Sequence, residues 1–584
     1  MEEKDNAVRQ IERDNSSHVS SNEEKGVAPA NAYPMRDEDY VVTFKTWIVV
    51  TILASAYGVS FWIVPAIAPI ATEVATKLGN PAAAGWFTSL YTICNAIAFM
   101  ICGANSDLFG RRWFLIGGNV LLLLGHLLCG LAKNSTMMIA GFAIIGFGAG
   151  NAQLAAFALP ELLPNKWRHI SVTIADLGTW IDVVVGSIAG RYAIVHGDAW
   201  RWLFHAPSIG AGISVVCLYA LYYPPQHPRG LGFKRALKEL DYIGGILFIL
   251  SATLILVGIV YTELISSSSP RVIGLLSAGF GTLVVFILFE NIGQKKGWIK
   301  QPLTPTHIFT ADKGREFTFP FIVGFVVTMF YYMTNIVYPT QCAVFFTTPT
   351  TTLRETALMT LPSNFGLVFG EILLITFGTS LGHWKWTLTG SVTIMVLFGA
   401  LLGLGTPDRK GMLMAFVFIS QMGFGWAQML SITFIQFGVP QVELGISGGL
   451  AGVTRFAGGA IAISVYTTIN SNVLKTWSKR LIPPAALGAG LPESSLTAFM
   501  EALPLGSAAL AKVPGITTEA IVAGGAALQQ AYVHALKVTA LSSLSFGILA
   551  IIACVCCNDI GHKMNSKIEV FLENDEFADK NVYH

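Results

Sequence analysis

The chain has 584 residues, 53% hydrophobic and 12% charged, with a net charge of +2 and a mean hydropathy of +0.58. Soluble domains average about a quarter charged residues, so this composition excludes an ordinary soluble enzyme and reads as a polytopic membrane protein. So small a net charge calls for no nucleic-acid partner; the expected surroundings are the lipid bilayer.

In chain order, residues 1–43 are polar and charged and read as a disordered cytoplasmic tail. They lack the short apolar core and cleavage site of a signal peptide, which makes the first span the uncleaved targeting signal. Fourteen apolar runs follow, near 46–68, 84–102, 113–131, 137–159, 170–194, 203–223, 241–262, 272–292, 318–341, 357–378, 386–405, 411–434, 446–469 and 535–557. Each is close to the ~20 residues that cross a bilayer as a helix. The predicted fold class is therefore all-α: two six-helix bundles at 44–223 and 318–557, with two extra helices and linkers at 224–317. Within 480–530, Pro483, Pro484, Pro492, Pro504 and Pro514 leave no uninterrupted apolar run. The expectation there is a long extracellular loop, 471–534, carrying short amphipathic helices. Residues 558–584 read as a second cytoplasmic tail.

Lys and Arg set the orientation. With the N-terminus inside, inner loops hold Arg111, Arg112, Lys166, Arg168, Lys234, Arg235 and Lys238 among others, and outer loops hold roughly half as many basic residues. Seven of eight cysteines lie in or beside apolar runs, so no disulfide framework is expected. Cys554, Cys556 and Cys557 cluster at the last exit; packing is the plainer reading, palmitoylation the other.

Coarse features repeat. Span starts, the glycine pairs Gly186/Gly190 and Gly458/Gly459, and the loops at Gly103 and Gly378 recur at an offset of 272–275 residues. Both glycine pairs read as helix-packing positions.

The most informative stretch is GANSDLFGRR, Gly103 to Arg112, between the second and third runs. Gly103 and Gly110 permit tight turns and close helix approach. Asp107 can accept from helix N–H groups or pair with Arg111 or Arg112. The bland reading is a positive-inside anchor. The spacing G-x-x-x-D-x-x-G-R-R, however, resembles the signature loop of the major facilitator superfamily. That resemblance implies a two-bundle carrier in which Gly103, Asp107, Gly110, Arg111 and Arg112 form an inner conformational latch.

Ionisable groups inside spans are functional candidates by default, because each is costly unless paired. The candidates for proton coupling are Asp176, Asp182, Glu371 and Arg455. For Asp176 the alternative is contact with its helix start and Lys166 or Arg168. Asp182 and Glu371 are preferred as titratable sites, with Arg455 as counter-charge. Amides and aromatics suggest a substrate cavity for a bulky, mostly apolar, oxygen-bearing molecule: Trp62, Asn95, Asn151, Gln153, Trp180, Tyr331, Tyr332, Asn335, Asn364 and Gln428. Plain packing is the competing reading for each aromatic. No metal-ligand spacing, phosphate loop or nucleophile constellation is visible, so neither a metal, a cofactor nor ATP hydrolysis is expected.

WRWLF (200–204), DYIGG (241–245) and GVTRFAGGAI (452–461) resemble the fourteen-span drug:proton antiporter branch of the superfamily. LPNKWRH (163–169) with VTIADLG (172–178) is similar to the fungal trichothecene efflux pumps. The resemblance implies a monomeric plasma-membrane carrier, both termini cytoplasmic, exporting toxic metabolites or xenobiotics against proton influx. Two positions depart from the antiporter pattern: Phe142 replaces the fourth-span arginine, and Ser187 and Arg191 replace the proline and closing glycine of the fifth. These departures leave siderophore–iron uptake as the alternative, with a non-transporting membrane sensor behind it.

Overall fold

The computed structural model describes residues 41–225, 232–265, 269–348, 350–503, 507–578 and 581. The expected N-terminal tail lies outside them as far as residue 40. Among the described residues, fourteen helices are long and apolar enough to cross a membrane. They are α1 (Phe44–Lys77), α2 (Pro81–Phe109), α3 (Arg111–Gly130), α4 (Ser135–Glu161), α5 (Asn165–Ile194), α6 (Ala199–Leu221) and α7 (Tyr242–Thr262). There follow α8 (Pro270–Lys295), α9 (Thr318–Phe346), α10 (Arg354–Leu381), α11 (Trp384–Leu404), α12 (Lys410–Phe437), α13 (Gln441–Gly488) and α14 (Thr518–Cys556).

Local chemistry starts several of them. Thr43 caps α1 by accepting from the Thr46 N–H at 3.2 Å, and Asn134 caps α4 through the Met137 N–H at 2.8 Å. Thr352 and Glu355 make a reciprocal capping box at the head of α10. Each cap satisfies N–H groups that have no partner within their own helix.

Helices α1–α6 form one bundle and α9–α14 the other, with α2 against α13 as the most extensive seam between them. Small residues let these backbones touch: a Cβ on Gly103 would lie 2.8 Å from the Gly445 carbonyl oxygen. The repeated glycine pairs do the same inside each bundle. Gly186 and Gly190 of α5 sit against Pro65 and Ala66 of α1, while Gly458 and Gly459 of α13 sit against Phe325 and Tyr332 of α9. Helices α7 and α8 pack on each other, and α7 rests against α2 and α13. Their outward residues, including Ile243, Ile246, Val284 and Leu288, are exposed and apolar, as a lipid-facing surface requires. On the linker before α7, the hydrogen bond from Arg235, helped by Lys300, holds the Glu239 carboxyl below the usual carboxylate range.

Three expectations differ in extent. First, GANSDLFGRR is not a ten-residue loop: α2 continues through Phe109, Gly110 turns at φ 82°, and α3 starts at Arg111. Packing of Gly103 on the facing backbone outweighs the poor helix propensity of Gly, Asn and Ser. Second, 471–534 is mostly helix. The body of α13 runs 45 residues, Leu444–Gly488, through Pro483 and Pro484, and α14 begins at Thr518, where Thr517 caps it. Ile482, Ala486, Phe499, Leu510 and Ala520 bury one another in a small separate core that holds this extension together. Third, α5 is interrupted by a π-helical turn at Asp182–Gly186.

In the cysteine cluster Cys554 and Cys557 are buried and Cys556 is half-buried.

Candidate functional site

One end of the bundle pair is closed by Asp107. Helix α13 starts with N–H groups that nothing in its own helix can accept, and a helix start favours negative charge. The Asp107 carboxylate reaches across from α2 and takes two of them, Gly445 N at 2.8 Å and Ile446 N at 2.9 Å. It is therefore a helix cap supplied by the opposite bundle. Arg111 backs it at 3.3 Å and also holds Glu161 at 2.5 Å and the Phe157 carbonyl at 3.0 Å. Glu161 in turn accepts from Gln441 at the head of α13. Arg112 takes no part in this closure: it donates to the Tyr219 carbonyl at 2.8 Å and lies 3.7 Å over the Tyr223 ring.

A second closure on the same face uses the echo of that loop. His169 at the start of α5 meets Thr379 at 3.2 Å and the Trp384 ring at 4.6 Å. Gln436 of α12 donates to the Ala156 carbonyl at 3.1 Å. Together these contacts seal one face, referred to below as the latch face.

Above the seal is a cavity of about 590 Å³ between the bundles. Asp176, Asp182 and Glu371 line it with Arg191 and Arg455, beside Tyr331, Tyr332, Asn335, Asn364 and Gln428. The charged groups at its floor join the bundles. Arg455 of α13 donates to the Tyr57 hydroxyl of α1 at 2.9 Å and covers the Phe61 ring at 5.3 Å. Trp180 of α5 donates to the Glu371 carboxylate of α10. Asp176 of α5 and Glu371 of α10 face the same cavity from opposite bundles, and Asp176 Oδ1 has no hydrogen-bond partner among the described residues. Asn364 donates to the Val183 carbonyl, within the π turn of α5, at 3.0 Å. Irregular turns of this kind cluster at functional sites.

Five of the ten cavity candidates line the cavity: Tyr331, Tyr332, Asn335, Asn364 and Gln428. Trp180 is outside its lining but touches Glu371. The other four turn into the first bundle. Trp62 donates to the Leu203 carbonyl at 2.9 Å and Asn151 to the Phe147 carbonyl at 3.0 Å. Asn95 and Gln153 bond each other at 3.4 Å, and Gln153 continues to the Tyr91 hydroxyl at 3.3 Å. A polar side chain in lipid needs a partner, and these find one within their own bundle.

The sequence reading missed Tyr57, Glu161, Gln436, His169 and the Gly445 and Ile446 amides. Backbone donors carry no sequence signal, and Tyr57 is one aromatic in an apolar span. Phe142, where antiporters carry an arginine, is fully buried and stacked on Phe87 at 5.4 Å. That position is apolar packing here.

The sequence matches the fungal trichothecene efflux pump family (TRI12) over residues 37–584. MFS-type transporter prx5 of Penicillium rubens is 43% identical across 90% of this chain and 93% of its own length. Trichothecene efflux pump TRI12 of Fusarium sporotrichioides is 26% identical across 90% of this chain and 88% of its own. MFS-type efflux transporter pyiT of Pyricularia grisea is 26% identical across 72% and 69%.

Proposed function

The chain belongs to the fungal trichothecene efflux pump family, and from that premise we propose that it is a proton-coupled carrier exporting an apolar, oxygen-bearing toxin or metabolite. It works by alternating access at the plasma membrane, with the latch face and both termini toward the cytoplasm. The observation that carries this reading is the charged cluster bridging the bundles at the cavity floor. Glu371 and Asp176 face each other's bundle across the cavity as the proton carriers, Arg455 is the counter-charge, and Trp180 and Tyr57 tie each bundle to the other's ionisable group. Gain or loss of a proton there changes which of these bonds the closed floor can make, and so biases the rocking of the bundles. Asp107 and Arg111 hold the cytoplasmic side shut while the cavity faces outward. Aromatic rings and amides supply apolar area with a few hydrogen bonds, which suits a sesquiterpenoid-like molecule better than an ion.

The cavity lining sets three carboxyl groups against two guanidinium groups. With one of these carboxyls protonated the charges balance, so the lining has no positive excess to draw in an anionic iron chelate, which disfavours the siderophore-uptake alternative. The test is accumulation of a radiolabelled trichothecene in yeast expressing the chain, with and without a protonophore. Lower accumulation that the protonophore abolishes is expected; equal accumulation in expressing and control cells overturns the reading.

A further inference from the structure

The segment after α14 does not leave the protein. Asn558 and Asp559 are tied to the second bundle, by Asn558 N to the Arg315 carbonyl at 3.3 Å and by Lys385 N to Asp559 at 3.1 Å. Lys563 adds the Phe437 carbonyl at 2.8 Å and Glu316 at 3.4 Å. The chain then crosses the latch face and pairs, backbone to backbone, with the first bundle. Lys166 N donates to the Asn565 carbonyl at 2.7 Å, Asn165 N to Lys567 at 2.9 Å, Val570 N to Glu161 at 3.0 Å and Glu573 N to Tyr223 at 2.7 Å. Thr43 Oγ1 donates to Asp575 at 2.5 Å, at the cap of α1. Leu572 is fully buried, and Ile568 and Phe571 nearly so. A segment so fixed to both bundles holds them at one separation.

The segment also engages the latch. The carbonyl it pairs with belongs to Glu161, whose side chain holds Arg111, and Asn165 Nδ2 donates to Glu569 at 2.7 Å. We infer that residues 558–575 are a clasp across the latch face, which must come off the first bundle each time that face opens. This inference rests on the alternating-access reading above. Its chemistry is a set of backbone hydrogen bonds, which water can replace when the clasp lifts, and three apolar anchors. A clasp of this kind makes the tail a control element, since anything that binds or modifies it changes how often the inner face opens.

The test uses the full chain with Ala156→Cys, at the Gln436 contact, as reporter, labelled by an impermeant maleimide from the latch face. Background is set by the same chain without that cysteine. Leu572→Asp, which removes the central anchor, is expected to raise the labelling rate about tenfold. In a separate chain, Asn165→Cys with Glu569→Cys places two thiols where those side chains now meet. Oxidation is expected to suppress reporter labelling, and reductant to restore it. This arm reads one folded protein in two redox states, so misfolding of Leu572→Asp does not spare the inference. Asp107→Asn serves as control for the carrier reading. If Asp107→Asn raises labelling and the oxidised bridge leaves it high, the clasp is overturned and alternating access stands. If no variant and no redox state changes labelling, both fall.

Discussion

Asp107→Asn removes one of two acceptor oxygens from the start of α13. Asparagine keeps a single carbonyl oxygen, and its amide N–H groups would face whichever of Gly445 or Ile446 it no longer serves. The loss is one charge-assisted hydrogen bond, about 1.5–3 kcal/mol, and a favourable charge at a helix start, about 0.3–1 kcal/mol. Arg111 keeps Glu161 and the Phe157 carbonyl, so no stranded charge adds to the total. The latched state is weakened by about 2–4 kcal/mol, which is roughly a 30- to 700-fold shift toward an open latch face. Maleimide labelling of Ala156→Cys measures the shift directly, alongside the amount of protein at the cell surface. Faster labelling at near-normal surface abundance, with impaired export, is the expected result. An unchanged labelling rate, or an export defect explained wholly by lost protein, would refute the reasoning.

Gly445→Ala should open the same face without touching a charge, because its new methyl would collide with the Asp107 carboxylate and the Gly103 carbonyl; the same reporter reads it. Glu371→Gln keeps an acceptor for Trp180 but cannot release a proton. Export by this variant and by Asp176→Asn should lose its pH dependence, measured over an imposed pH gradient in vesicles. Asp182→Asn leaves the Trp180–Glu371 and Arg455–Tyr57 bonds between the bundles in place and should retain it. Tyr57→Phe deletes one hydrogen bond to a half-buried guanidinium, about 1.5–3 kcal/mol, and should slow export while thermal unfolding moves only slightly. Phe499→Ala should cost the 482–520 core about 3–5 kcal/mol. Limited proteolysis should then cut there first, with the latch reporter unchanged.

The spans were legible because lipid demands long apolar runs, and Asp107 with Arg111 because their spacing is distinctive. Two kinds of feature were not. Which bundle an amide faces depends on packing, so Asn95, Asn151 and Gln153 read like Asn335 and Gln428 although they turn the other way. Tertiary contact also overrode local breakers. Pro483 and Pro484 sit inside α13 because Ile482 and Ala486 are held by Phe499 and its neighbours. The start of α14 did carry a cue, the capping Thr517, but no apolar run accompanies it until about residue 535. The tail lacked any such cue, since its bonds to α4 and α5 are made by backbone groups and by pairs some 400 residues apart, such as Asn165 and Glu569.

The long reach of α13 and α14 has a mechanical consequence. A 45-residue helix is roughly 68 Å long at 1.5 Å per residue, against a hydrocarbon core of about 30 Å. Starting at the latch face, that rod is far longer than the hydrocarbon core and is stiffened at its opposite end by the 482–520 core and by Trp477 stacked on His534 at 3.7 Å. Displacement grows with distance from a pivot, so the far end acts as a pointer that magnifies each tilt of the second bundle. A fluorophore placed there would follow the tilt of the second bundle through single turnovers.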